Sequence, residues 1–157
     1  MAAIADAVYR LTLALWVGGM AIFTFLVTPI LFRGLGRDEA GRIVGMYFPA
    51  YFTYNLVLAG LALAAFFLLS RRGWRAPHWG CAFLLALAVA AAGFVRFGYY
   101  PRAQAVKARI ASFETVPASD PLRREFSRLH AASMALNLFL LADGVFLLLL
   151  APRVRRS

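Results

Sequence analysis

The sequence is poor in the residues that soluble enzymes and metal centres use most. It has one cysteine, two histidines and seven acidic residues among 157. The single cysteine, Cys81, excludes an intramolecular disulfide bond and a metal site built from several cysteines. No nucleophile with a neighbouring base and no complete set of metal ligands can be recognised. The residue pattern therefore predicts a protein that is not an enzyme.

Apolar residues are what the chain has in excess. They make up 62% of it, and charged residues only 15%, whereas soluble domains have about 45–50% and about 25%. A membrane-spanning helix needs about 20 apolar residues, so four spans and short loops use nearly the whole chain. The sequence predicts an all-α integral membrane four-helix bundle that forms one domain over residues 1–157. We expect the spans at about 8–32, 43–69, 79–98 and 126–150.

The segment between the third and fourth spans has a different pattern. Its apolar residues recur at spacings of three and four, and charged residues lie between them. This spacing predicts a short amphipathic surface helix at about 102–114, lying among the lipid headgroups. Asp38 is a candidate N-cap of the second span. Asp120, followed by Pro121, is a candidate N-cap of the fourth.

The formal net charge of +10 would suggest nucleic-acid binding in a soluble protein. Here the cations follow the ends of apolar runs, where they meet lipid headgroups, and no nucleic-acid-binding motif accompanies them. We therefore expect the lipid bilayer as the partner, and no nucleic acid. Compact cationic clusters at 71–75 and 153–156 favour cytoplasmic N- and C-termini, although the opposite side carries more cations in total.

The spans contain two features that affect helix packing. Gly18 and Gly19 form a pair in the first span, and paired glycines allow another helix to approach closely. Pro29 lies near the end of the same span and predicts a kink there.

The fourth span carries polar side chains that a lipid-facing helix would avoid. His130, Ser133 and Asn137 share one stripe of a helix. If the spans alternate in direction, residues of the second and third spans reach the same membrane level. We therefore predict a polar vestibule lined by Arg96, His130, Tyr47, Tyr51, Asn55, Ser133 and Asn137. An arginine there favours an anionic or carbonyl-bearing ligand. The alternative, in which Arg96 reaches lipid phosphates and His130 bonds to a tyrosine or a carbonyl, stays open.

Asp143 lies inside the fourth span, where an ionised carboxylate is costly. Arg10 begins the first span on the same side of the membrane, so an Arg10–Asp143 ion pair is the simplest structural prediction. In the alternative, Asp143 faces a water-filled path and takes part in a proton or cation relay.

Several segments together resemble a known family. They are Leu15-Trp16-Val17-Gly18-Gly19-Met20 through Thr28-Pro29, Phe48-Pro49 with Tyr51, and Arg124-Glu125-Phe126 with Leu129-His130, Ser133 and Asn137. In order and spacing they are similar to the uncharacterised bacterial four-span membrane proteins that resemble eukaryotic transmembrane protein 205. This resemblance implies a multi-pass protein of the bacterial inner (plasma) membrane.

The first span also resembles, more distantly, that of the copper-resistance membrane protein D group and of four-span protoporphyrinogen oxidases. Copper would take methionine and histidine ligands, and His130 with Met134 is the candidate pair. Haem held by two histidines conflicts with the placement of His78 and His130 on opposite sides, which leaves His130 as a single axial ligand. The sequence therefore leaves three alternatives: copper, haem with a single axial histidine, or no cofactor.

The functional prediction is a membrane protein that binds or moves a small ligand or metal species through the vestibule. The alternative is a small accessory subunit of a larger membrane complex, where it contacts haem, quinone, pigment or lipid. Under either prediction the partners include other subunits of such a complex or further copies of the chain.

Overall fold

The computed structural model describes residues 2–70 and 78–151, and all regular structure in these ranges is helical. Four long helices follow one another: α1 over 2–34, α2 over Arg37–Ser70, α3 over 78–107 and α4 over Pro121–Leu150. Each is long and apolar enough to cross a membrane. The predicted all-α membrane bundle of four spans is therefore confirmed. The cationic clusters at 71–75 and 153–156, on which the predicted orientation depended, lie outside the described residues.

The helices pack as a closed ring. α1 and α3 each contact both α2 and α4, and within the described residues the pairs α1–α3 and α2–α4 lie diagonally across the bundle. Large buried side chains such as Trp16 and Phe66 fill the centre. Alanines at the α2–α3 contact, including Ala62 and Ala88, let the backbones approach each other closely.

Two of the helices contain a π-helical turn directly before a proline. In α1 the π turn separates Ala2–Ile22 from Thr28–Gly34, and in α3 it separates His78–Phe94 from Tyr100–Lys107. The two turns are Phe23–Val27 and Val95–Tyr99.

The prolines explain why the turns widen there. A proline inside a helix lacks an N–H and its ring collides with the carbonyl one turn earlier. In α1 the N–H of Thr28, just before Pro29, donates to the carbonyl of Phe23, five residues back. The Thr28 side chain donates to the same carbonyl at 2.9 Å. Each wide turn makes room for the proline while the helix continues. At Pro29, where the sequence predicted a kink, the helix contains a π turn.

The predicted surface helix at 102–114 is not a separate element. Residues 100–107 are the last turns of α3, and residues 108–120 form turns without a helix. The Lys107 ammonium donates to the carbonyl of Gly41 on α2 at 2.7 Å, and this bond holds the end of α3 against α2. Helical residues within the predicted range therefore end at Lys107, and they continue α3 because the π turn accommodates Pro101.

Residues 108–120, which we call the cap loop, fold back onto the helix ends. Asp38, in the first turn of α2, accepts hydrogen bonds from the Ser112 hydroxyl at 2.5 Å and from the Phe113 N–H at 2.6 Å. Asp38 thus anchors the loop instead of capping its own helix. Asp120 ends the loop and caps α4, because its carboxylate accepts from the N–H of Leu122 at 2.8 Å.

Candidate functional site

A chain of polar side chains crosses the interior of the bundle. The Tyr51 hydroxyl of α2 donates to the side-chain oxygen of Asn137 on α4 at 2.6 Å. The Asn137 amide donates in turn to the hydroxyl of Thr24, in the π turn of α1, at 2.9 Å. Because α2 and α4 lie diagonally across the ring, the tyrosine has to reach through the centre. This polar chain, Thr24–Asn137–Tyr51, ties three spans together at one membrane level.

A cavity of water size adjoins the polar chain. Asn55, one helical turn after Tyr51 on α2, is 2% exposed, and its side-chain oxygen has no hydrogen-bond partner within the described residues. The cavity has a volume of about 10 Å³, roughly what one bound water needs. Asn55, Ser133 and Asn137 offer polar partners to such a water. Its lining consists of Phe52, Asn55, Ala92, Val95, Ser133, Asn137 and Leu140.

A larger groove opens outward between α1 and α2, and we call it the tyrosine groove. Its volume is about 350 Å³ and its surface is almost entirely apolar. The Tyr51 ring forms part of the wall and stacks on Phe23 with 4.3 Å between ring centroids. Tyr51 therefore belongs to both features, with its ring in the groove and its hydroxyl in the polar chain. The groove is lined by Gly19, Ile22, Phe23, Val27, Tyr47, Ala50, Tyr51 and Tyr54.

One wall of the groove depends on a glycine. The Tyr54 hydroxyl donates to the backbone carbonyl of Leu15 on α1. A Cβ at Gly19 would overlap the Tyr54 side chain, whereas one at Gly18 would meet open space. Of the predicted glycine pair, Gly19 is thus the residue that lets α2 pack closely on α1.

The structure does not bring Arg96 or His130 to the polar chain. The Arg96 side chain donates to the Thr53 hydroxyl of α2 at 3.3 Å, and its guanidinium lies 5.3 Å from the Phe97 ring centroid. His130 is exposed and stacks parallel to Phe126 of its own helix, with 5.9 Å between centroids. Of the seven residues predicted for the vestibule, the structure brings four together: Tyr51, Asn55, Ser133 and Asn137.

Tyr47 and the candidate metal ligands lie on outward faces. Tyr47 is 54% exposed at the groove. His130 and Met134 lie one turn apart on the exposed face of α4. Within the described residues, no three His, Cys, Asp or Glu side chains are placed to hold a metal ion together. A haem or copper site at His130 and Met134 would have to be completed by groups from outside this part of the chain.

The predicted Arg10–Asp143 ion pair is not formed. Arg10 instead donates to both carboxylate oxygens of Asp6, at 3.0 and 2.9 Å. Asp6 lies one turn earlier on the same helix, within direct reach of the guanidinium. Asp143 is 5% exposed, and neither of its oxygens has a hydrogen-bond partner within 2–70 and 78–151. The ion-pair prediction was wrong, since Arg10 found a partner on its own helix.

Thr24 is the site residue that sequence reasoning missed. A hydroxyl in an otherwise apolar span, at the depth where the fourth span carries Asn137, is the available signal. Threonine is common in spans without any such role, which makes the signal a weak one.

Comparison with known proteins gives one family and one relative. A family model described as a domain of unknown function (DUF4149) matches residues 11–112, which include Thr24, Tyr51 and Asn55. An uncharacterized protein from Aquifex aeolicus (strain VF5) is 39% identical over 51 residues, which are 32% of this chain and 39% of that relative. The alignment thus spans well under half of either protein. No solved structure matches the chain.

Proposed function

The chain belongs to the family described as a domain of unknown function (DUF4149), and we propose that this multi-pass membrane protein binds a small amphiphilic molecule in the tyrosine groove. The groove, at about 350 Å³, reaches the lower end of the roughly 300–1,000 Å³ that is usual for ligand pockets. It opens on the outer surface of the bundle, where lipid surrounds the spans. A ligand can therefore enter sideways from the bilayer.

The observation that carries this proposal is the double position of Tyr51. Its ring forms the groove wall, and its hydroxyl donates to Asn137 in the interior. A tyrosine oxygen that donates one hydrogen bond keeps acceptor capacity. A ligand with an apolar body and a hydroxyl head can lie along the groove and donate to that oxygen.

The same geometry favours binding over transport. A carrier needs a polar route through the bundle, and the interior space beside Asn137 is about 10 Å³, room for one water. The sequence also suggested a metal species as the ligand. An amphiphile fits better, because the groove surface is almost entirely apolar. Metal ions prefer charged or strongly polar ligands.

Filling the groove tests the proposal. Ala50 lines the groove, and Ala64 is exposed on the same helix outside its lining. Native mass spectrometry of protein purified in mild detergent reports bound small molecules. We expect wild type and Ala64→Phe to retain a small molecule and Ala50→Phe to lose it. Tyr51→Phe should weaken retention about fivefold, the equivalent of one hydrogen bond. Equal retention by Ala50→Phe and Ala64→Phe would sink the proposal.

The same measurement addresses the alternatives. Larger subunits that co-purify in a fixed ratio, with no effect of Ala50→Phe, would support the accessory subunit, and a defined multiple of the chain mass would support a homo-oligomer. A Soret absorption band that His130→Ala abolishes would support haem with a single axial ligand. We further propose the bacterial inner membrane as the location, with cytoplasmic termini. Reporter domains fused to each terminus test this orientation.

A further inference from the structure

A second group of buried polar side chains surrounds Asp143 at the opposite end of the bundle from the cap loop. From α1 come the buried side chains of Tyr9 and Trp16. The thiol of Cys81 on α3 and the Tyr9 hydroxyl lie within electrostatic range of the Asp143 carboxylate. No part of the proposed ligand groove includes these residues.

The Asp143 side chain is buried beside a close contact between α1 and α4. The next residue, Gly144, lies against α1 so closely that a Cβ there would be 2.9 Å from a Val17 methyl and 3.5 Å from the Trp16 ring. The Trp16 Nε1–H is buried too and has no hydrogen-bond partner within the described residues. Two polar groups without a hydrogen-bond partner in the described residues, the carboxyl of Asp143 and the indole of Trp16, thus lie at this close α1–α4 contact.

Within residues 2–70 and 78–151, no cation is paired with the Asp143 carboxylate. Removing an ion from water costs several kcal/mol unless it is paired. The Arg10 guanidinium of α1 is paired with Asp6 through its Nε. The titratable residues of α2 all fall within 37–54, at the other end of the bundle, and those of α4 other than Asp143 lie at 123–130. Among the described residues, Tyr9 and Cys81 are the titratable groups that interact electrostatically with Asp143, and Arg10 lies near Tyr9.

We propose that Asp143 is a reversible proton-binding site of the folded bundle. A proton neutralises the carboxyl without the roughly six to eight oxygen ligands that Mg²⁺ or Ca²⁺ takes, and the described residues around Asp143 do not offer such a set. The neutral acid gains an O–H donor and keeps an acceptor oxygen. Loss of the proton puts a charge at a close α1–α4 contact, where separation of the two helices would stabilise it by admitting water.

Infrared spectroscopy of the wild-type protein tests the proposal without any substitution. A protonated carboxyl has a C=O stretching band that is distinct from the carboxylate bands. The chain contains four aspartates, Asp6, Asp38, Asp120 and Asp143. At pH 6 exposed aspartates, with an ordinary value of about 3.9, are ionised. We expect one protonated-carboxyl band that shifts when aspartate is labelled with ¹³C. Absence of a label-sensitive band at this pH would overturn the proposal.

Substitutions assign the band and its effect on stability. Asp143→Asn should abolish the band, and Asp120→Asn, a control at the other end of the bundle where asparagine can still cap α4, should retain it. A proton that binds only the folded state stabilises it by mass action, so stability should fall as pH rises. The folded-to-unfolded ratio should drop by up to about tenfold for each pH unit, and Asp143→Asn should flatten this dependence. A pH dependence that persists in Asp143→Asn, or a band lost in Asp120→Asn, would overturn the assignment.

Discussion

Gly19→Ala and Gly18→Ala form a matched pair that tests the contact between α1 and α2. The two glycines are neighbours in one helix and share the change in backbone propensity, about 1 kcal/mol in favour of alanine. They differ in surroundings, since a Cβ at Gly18 meets open space and a Cβ at Gly19 overlaps Tyr54. The propensity change therefore cancels in the comparison, and the difference reports the contact alone.

The size of the difference follows from the contact that is lost. The Tyr54 ring has to move, which breaks its hydrogen bond to the Leu15 carbonyl, worth about 0.5–1.5 kcal/mol. Forcing an extra carbon into a packed contact costs about 1–3 kcal/mol more. We expect Gly19→Ala to be less stable than Gly18→Ala by about 2–4 kcal/mol.

Reversible unfolding in mixed micelles of mild and denaturing detergent, followed by tryptophan fluorescence, measures both variants. Repeating the pair in a Tyr54→Ala background supplies a double-mutant cycle, in which the Gly19→Ala penalty should disappear because the clashing ring is gone. Stabilities of the two alanine variants within about 0.5 kcal/mol of each other, in wild type as well as in that background, would refute the packing described here.

Two further predictions concern the cap loop. Asp120→Ala should cost about 1 kcal/mol of unfolding free energy in the same micelle assay, because the first N–H groups of α4 lose their acceptor. Asp38→Ala should raise amide hydrogen exchange at Phe113 and its neighbours by tenfold or more, on the order of 1.4 kcal/mol of lost protection. Glu39→Ala serves as its control, and equal exchange in both variants would contradict the anchoring role of Asp38.

Much of the fold is predictable because one physical requirement dominates the sequence. Long apolar runs have to form helices in lipid, and this alone leads to four spans. The end of α3 is not predictable in the same way. Pro101 and the amphipathic spacing after it are typical of a new helix, and the spacing carries no sign of the π turn that absorbs the proline. The partner of Lys107 is a backbone carbonyl, which no side-chain pattern reveals.

The site shows where depth reasoning works and where it stops. Alternating spans fix the membrane level of a residue, and Tyr51 and Asn137 do lie at one level. Alternating spans do not fix the direction in which a side chain projects from its helix. Arg96 and His130 are therefore at a predictable level but do not join the polar chain. The partner of Arg10 could have been predicted from local spacing. Residues four apart on a helix are neighbours, and Asp6 is four residues before Arg10.

The two π turns change how this chain should be aligned with its relatives. Each adds one residue to the helical repeat, so side chains beyond it are rotated by about 100° relative to an uninterrupted α-helix. A helical wheel drawn through 2–34 with uniform spacing therefore assigns the residues from Thr28 onward to the wrong face. A homologue shorter by one residue at Phe23–Val27, with a regular α-helix there, would therefore present the same sides to its neighbours before and after the gap.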